Sequence, residues 1–206
     1  MIILIDNYGG FTYNLAQVIG GAGYKVNVLH NDELEVEQIL DLRPEKIILT
    51  PGPGQTVDAG VCERLVRHCP VDVPLLGIGL GHQCVCAEFG GEVGPAKTLM
   101  HGKTALVRLD SHPLFAGLRR AIKVGCYHSL VVSASSLPTS LRVIAVDEKG
   151  CVMAVAHSKR PLFGLQFHPE SILTESGEDI LRNFCELTPT TEAPSPQTVQ
   201  QGREIS

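Results

Sequence analysis

The sequence predicts an α/β fold with a mostly parallel central sheet and helices on both faces. Three observations carry that expectation. Near-continuous apolar runs, MIILID (1–6), KIILT (46–50) and PLLGIG (74–79), have the character of strands buried on both faces. Stretches of helical periodicity separate these runs in a β-α-β-α rhythm. After residue 92 the rhythm gives way to short strands with little helix between them, so the second half is expected to be strand-rich and partly antiparallel.

Each element has a local reason. MIILID opens the sheet. FTYNLAQVIGGAG (11–23) has helical spacing and stops at Gly21–Gly23. KVNVLH (25–30) alternates like a strand, and LEVEQILDL (34–42) reads as a helix closed by Pro44. KIILT is broken by PGPG (51–54), residues 58–69 suit a helix, and PLLGIG leads into a helix over 81–89. KTALVRL (103–109), LVVSAS (130–135), LRVIAVDE (141–148), CVMAVAH (151–157) and LFGLQF (162–167) read as strands, and 176–187 as a last helix. Residues 1–187 are therefore expected to form one domain. The polar, Pro- and Thr-rich remainder, 188–206, buries too little surface to offset its ordering entropy and reads as a flexible tail.

Composition narrows the function. A chain of 206 residues can build one well-cored domain. A net charge of −5 implies no basic face for nucleic acid. No apolar run reaches membrane-spanning length, and MIILIDNYGG turns polar too soon for a signal peptide. Seven scattered cysteines, an odd number, fit free thiols in a reducing compartment, so a cytoplasmic protein is expected.

The chemistry concentrates in three stretches. In LLGIGLGHQ (75–83), Gly77, Gly79 and Gly81 alternate where a strand meets a helix. Small residues two before and two after the tip permit a sharp elbow, which exposes the tip beside a helix N-terminus suited to a developing oxyanion. The tip itself is Gly79, which has no side chain. A dinucleotide fingerprint fails, because its third glycine would fall at His82. In QFHPES (166–171), Pro169 stiffens a loop carrying His168 and Glu170, which fit a general base and the carboxylate that orients it. TPGPG (50–54) sits at a strand's C-terminal end, where parallel sheets place ligands, and its glycines allow close backbone approach. CYHSL (126–130) carries no chemistry by itself. Cys84 and Cys86 point about 200° apart on a helix and read as buried small hydrophobes, not as metal ligands.

Together and in order, DNYGGFTYNL, ILTPGPG, LLGIGLGHQ, FGGEV, MHGKT, YHSL and FHPES make the chain resemble the class I, triad-type glutamine amidotransferases. Within them it is most similar to the glutaminase components of anthranilate synthase and aminodeoxychorismate synthase. The resemblance runs from residue 1 to about 187 and implies a flavodoxin-like domain with a mixed, mostly parallel sheet. It implies that a cysteine at the elbow attacks the side-chain amide of glutamine, and that the ammonia passes to a chorismate-binding synthase subunit. It requires no metal or cofactor, and neither nucleic acid nor membrane enters as a partner. Carried over, it makes His168 the base and Glu170 its orienter. Gly52, Pro53 and Gly54 would line the glutamine and oxyanion site, with the Leu80 N–H completing the hole. Gln83, Ser129 and Leu130 would hold the amino-acid end of the substrate.

Two departures stand out. Gly79 occupies the family's nucleophile position, and DNYGGFTYN replaces the usual DNYDSFTYN, with Gly9 and Gly10 in place of Asp and Ser. Cys84 lies five residues beyond the tip, about 7.5 Å along a helix, too far to substitute where about 1 Å matters. The expectation is a glutaminase-type subunit with its own activity impaired or lost. A non-catalytic subunit that stabilises or regulates an ammonia-using synthase, and a glutamine-sensing module, are the alternatives. The anthranilate and aminodeoxychorismate branches both stay open.

Overall fold

The computed structural model describes residues 1–188. Nine strands form one sheet in the order β2-β1-β3-β4-β9-β8-β7-β5-β6. They are β1 (Ile2–Asp6), β2 (Val26–His30), β3 (Lys46–Leu49), β4 (Leu75–Ile78), β5 (Val93–Leu109), β6 (Ala121–Val132), β7 (Leu141–Asp147), β8 (Val152–His157) and β9 (Leu162–Leu165). The first five in that order pair in parallel. The remainder pair antiparallel, so the mixed sheet expected from the sequence is present.

The helices are α1 (Thr12–Gly21), α2 (Val36–Asp41), α3 (Cys62–His68), α4 (Leu80–Glu88) and α5 (Gly177–Glu186). Strand residues alternate between two cores. Ile2, Leu4, Ile48, Leu76 and Ile78 pack with Leu15 and Ile19 of α1 and with Ile180 and Phe184 of α5. Ile3, Ile5, Ile47, Leu49 and Leu75 pack on the other face with Ile39 of α2, Leu65 of α3 and Val85 of α4. This double burial is why the first strands read as unbroken apolar runs, each fully buried aliphatic side chain contributing about 1.5–3 kcal/mol. No helix among the described residues is long and apolar enough to cross a membrane.

Several boundaries differ from the sequence reading. The span 58–69 is not one helix: a 3-10 turn at Thr56–Asp58 precedes α3. Gly60 breaks it at φ 55°, its backbone pressed on the carbonyl of Asn31, which also accepts from the Val61 N–H at 2.9 Å. The strand expected over 130–135 ends at Val132, and Ala134–Ser136 turns as a 3-10 helix. The largest difference is the hairpin of β5 and β6. KTALVRL is only the inner end of the 17-residue β5, whose outer part is largely exposed and so lacks apolar alternation. Of the polar segment read as a tail, everything beyond Thr188 lies outside the described residues.

Candidate active site

The loops that follow β1, β3, β4 and β9 open at the same, C-terminal edge of the parallel strands, and the site is built there. The elbow is the sharpest of them. Gly79 joins β4 to α4 at φ 56° and ψ −110°, a conformation strained for any residue with a side chain. Its N–H donates to the Leu165 carbonyl at 2.8 Å, and its own carbonyl accepts from the Gln83 N–H at 3.1 Å. The flanking glycines are needed for close packing. A Cβ on Gly77 would press into the Gly81 carbonyl and lie 2.7 Å from the His82 nitrogen, and one on Gly81 would press into the Leu49 carbonyl. A Cβ built on Gly79 itself would lie 3.4 Å from His168 Nε2 and 3.3 Å from Pro51 Cβ.

His168 is held from every side. Its Nδ1 is 2.8 Å from Glu170 Oε1, with both side chains almost wholly buried. An Nδ1–H donated to the carboxylate leaves Nε2 as the acceptor that faces residue 79. Tyr127 and Phe11 meet the imidazole edge-on, with centroids at 4.9 and 5.6 Å. The loop is pinned to β6: the His168 N–H donates to Gly125 O at 3.0 Å, and Thr174 bridges Gly125 N and His168 O through its hydroxyl. This is the geometry of a positioned base with its orienting carboxylate.

Gly79 and His168 line a pocket of about 220 Å³. Gly52, Pro53 and Gly54 form one wall, Leu80 and Gln83 a second, and Ser129 and Leu130 a third. Gln83 Nε2 donates to the Leu130 carbonyl at 3.2 Å, tying α4 to β6. Of the residues assigned a catalytic or substrate-binding role from the sequence, only Glu170 is not in the wall, because it supports His168 from behind. Leu99, Met100 and His101 from β5, Tyr127 and His128 from β6, and Gln166 also line the pocket, although the sequence reading assigned them no role. All of these but Leu99 stood in the quoted stretches MHGKT, YHSL and QFHPES, but neither polarity nor spacing there distinguishes a wall from a strand end.

Electrostatics keep the deeper histidines neutral. Burial, then the neighbouring His128, pushes His82 down to about 3. Burial, then His168, lowers His128. Cys84 and Cys86 are fully buried in the core rather than the pocket, and their thiols are pushed up, Cys84 chiefly by a hydrogen bond with Cys62 and Cys86 by burial. Neither is an activated nucleophile.

Comparison with known proteins identifies the family. The chain matches the family Glutamine amidotransferase class-I over residues 3–187. It is 46% identical over 187 residues to "Anthranilate synthase component II" of Haloarcula marismortui, covering 90% of this chain and 97% of that protein. It is 41% identical over 186 residues to "Aminodeoxychorismate/anthranilate synthase component 2" of Bacillus subtilis, covering 90% and 96%. Among solved structures, a putative GMP synthase protein from Thermoplasma acidophilum superposes with a TM-score of 0.80 at 28% identity, covering 89% of this chain and 90% of that one. A match that spans both halves of the sheet and all four loops of the site shows the family: this chain belongs to the class I glutamine amidotransferases.

Proposed function

We propose that the chain is the amidotransferase-type subunit of a chorismate-aminating synthase, that Gly79 stands at the nucleophile's position, and that glutamine hydrolysis by this subunit is lost. The observation that carries the reading is the direction of the elbow. A side chain at residue 79 would begin 3.4 Å from His168 Nε2, and His168 is backed by Glu170. That is where a thiol would be deprotonated, and glycine supplies none. Losing a nucleophile that acts as a unit with its base costs on the order of a millionfold in turnover.

The relatives' names support the partner: they are second components of synthases, so a chorismate-binding first component is the expected partner here. The name of the Bacillus subtilis relative carries both the anthranilate and the aminodeoxychorismate branch, and either product is consistent with this subunit. In the complex the chain stabilises a synthase that takes free ammonia, and its pocket still accepts glutamine through Gln83, Ser129 and the backbone of 52–54. The test is to co-express the chain with its synthase and supply chorismate with either ammonium or glutamine. Product from ammonium alone is expected. Glutamine-supported turnover within tenfold of the ammonium rate would contradict the reading.

A further inference from the structure

Gln166 follows β9 directly, next to the Leu165 carbonyl that receives the Gly79 N–H. Its backbone N–H is satisfied by Met153 O at 2.9 Å. Its side chain is not satisfied. Gln166 is 0% exposed, and neither Oε1 nor Nε2 has a hydrogen-bond partner among the described residues. It nevertheless lines the same pocket as Gly79 and His168. Beside it in the wall, His128 Nδ1 is also buried and without a partner among the described residues. Two residues before Gln166, Gly164 packs against the His82 imidazole so tightly that a Cβ there would collide with it.

A buried amide with both ends unpaired lowers stability, and native proteins rarely keep one without a use. A core position at the end of a strand would be filled more stably by an apolar residue. The amide carries one donor group and one acceptor, and its complement is a second primary amide, paired head to tail. A carboxylate offers two acceptors, so one of its oxygens would oppose Oε1.

We propose that Gln166 is a specificity-determining residue that reads the ligand's terminal carboxamide and discriminates against a carboxylate at the same place. This rests on the reading that the pocket accepts glutamine, and it adds the group that separates glutamine from glutamate.

The experiment is calorimetric titration of L-glutamine and L-glutamate into the full chain, with thermal melts of the ligand-free protein, for wild type, Gln166→Met and Gln166→Glu. Wild type is expected to prefer glutamine. Gln166→Met should narrow that preference by about tenfold while leaving the ligand-free melting temperature unchanged or raised. Gln166→Glu should keep the preference or widen it, because its carboxylate still accepts from an amide NH2 and repels glutamate. A folded Gln166→Met variant with the wild-type ratio overturns the assignment, as does a reduced ratio in Gln166→Glu. The second variant decides the question if the first does not fold. Wild type that binds no glutamine overturns the reading of the pocket itself, and the assignment with it. The two failures are thereby distinguishable.

Discussion

The two arms that meet at the pocket are both built to close tolerance, but only one ends in a reactive group. On the base arm, His168 is fixed by Glu170, two aromatic rings and a loop pinned to Gly125. On the elbow arm, Gly77 and Gly81 let β4, α4 and β3 approach until no Cβ fits, and the tip is bonded at both its N–H and its carbonyl. That precision aims at His168 a residue with no side chain. The comparison teaches that the elbow is positioned by backbone packing, whereas the base is positioned by the side chains around it. The frame is complete with glycine at its tip. The loop after β1 shows the same economy. A Cβ on Gly9 would press into the Pro51 carbonyl, so glycine permits the close contact with the 50–54 loop, while Gly10 faces open space.

The largest test breaks the frame of the elbow and leaves the base arm alone. Gly77→Ala forces a methyl into the backbone of Gly81 and His82 and is expected to cost about 3 kcal/mol or more, near the upper end for overpacking. Urea denaturation measures it, and a loss under about 1 kcal/mol, closer to that of an ordinary surface substitution, would show the elbow to be loose. A smaller effect sharpens the comparison through pH. His82 lies in the first turns of α4, is buried, and has its basicity pushed down to about 3. In the unfolded chain it titrates near its ordinary value of about 6.5. The unfolded state thus binds the extra proton first. Stability is complete above about pH 6.5 and falls by up to about 1.4 kcal/mol per unit as pH drops towards 3. Denaturation at pH 7.5, 6 and 5 should show a shallower slope for His82→Gln than for wild type. Equal slopes would contradict the account.

Much of this was legible in the sequence, and the reasons are specific. The parallel half declared itself because Ile2–Ile5 and Ile47–Leu49 are buried on both faces and so carry no polar interruptions. The elbow was legible because close backbone packing admits only glycine at 77 and 81. His168 and Glu170 were legible because a proline between them fixes their spacing. The outer half of β5 was not, since its largely exposed residues have no apolar alternation to betray it. Gln166 stood in plain view in QFHPES, yet its burial without a partner is a property of the packed molecule and not of the motif.

The central claim is that residue 79 occupies the nucleophile's place and that only the nucleophile is missing. It is tested most directly by Gly79→Cys, assayed for glutamate release with its synthase and chorismate present. The substitution puts a side chain at φ 56° with neighbours at 3.3–3.4 Å, so backbone strain of about 1–3 kcal/mol, less the entropy gained by replacing glycine, leaves a net loss of about 1 kcal/mol in stability. The new thiol should react with a glutamine-analogue alkylator, unlike the buried Cys84 and Cys86, and glutamate release should rise from background by orders of magnitude. A folded Gly79→Cys variant that neither labels nor releases glutamate, or a wild-type chain that already matches it, would contradict the claim.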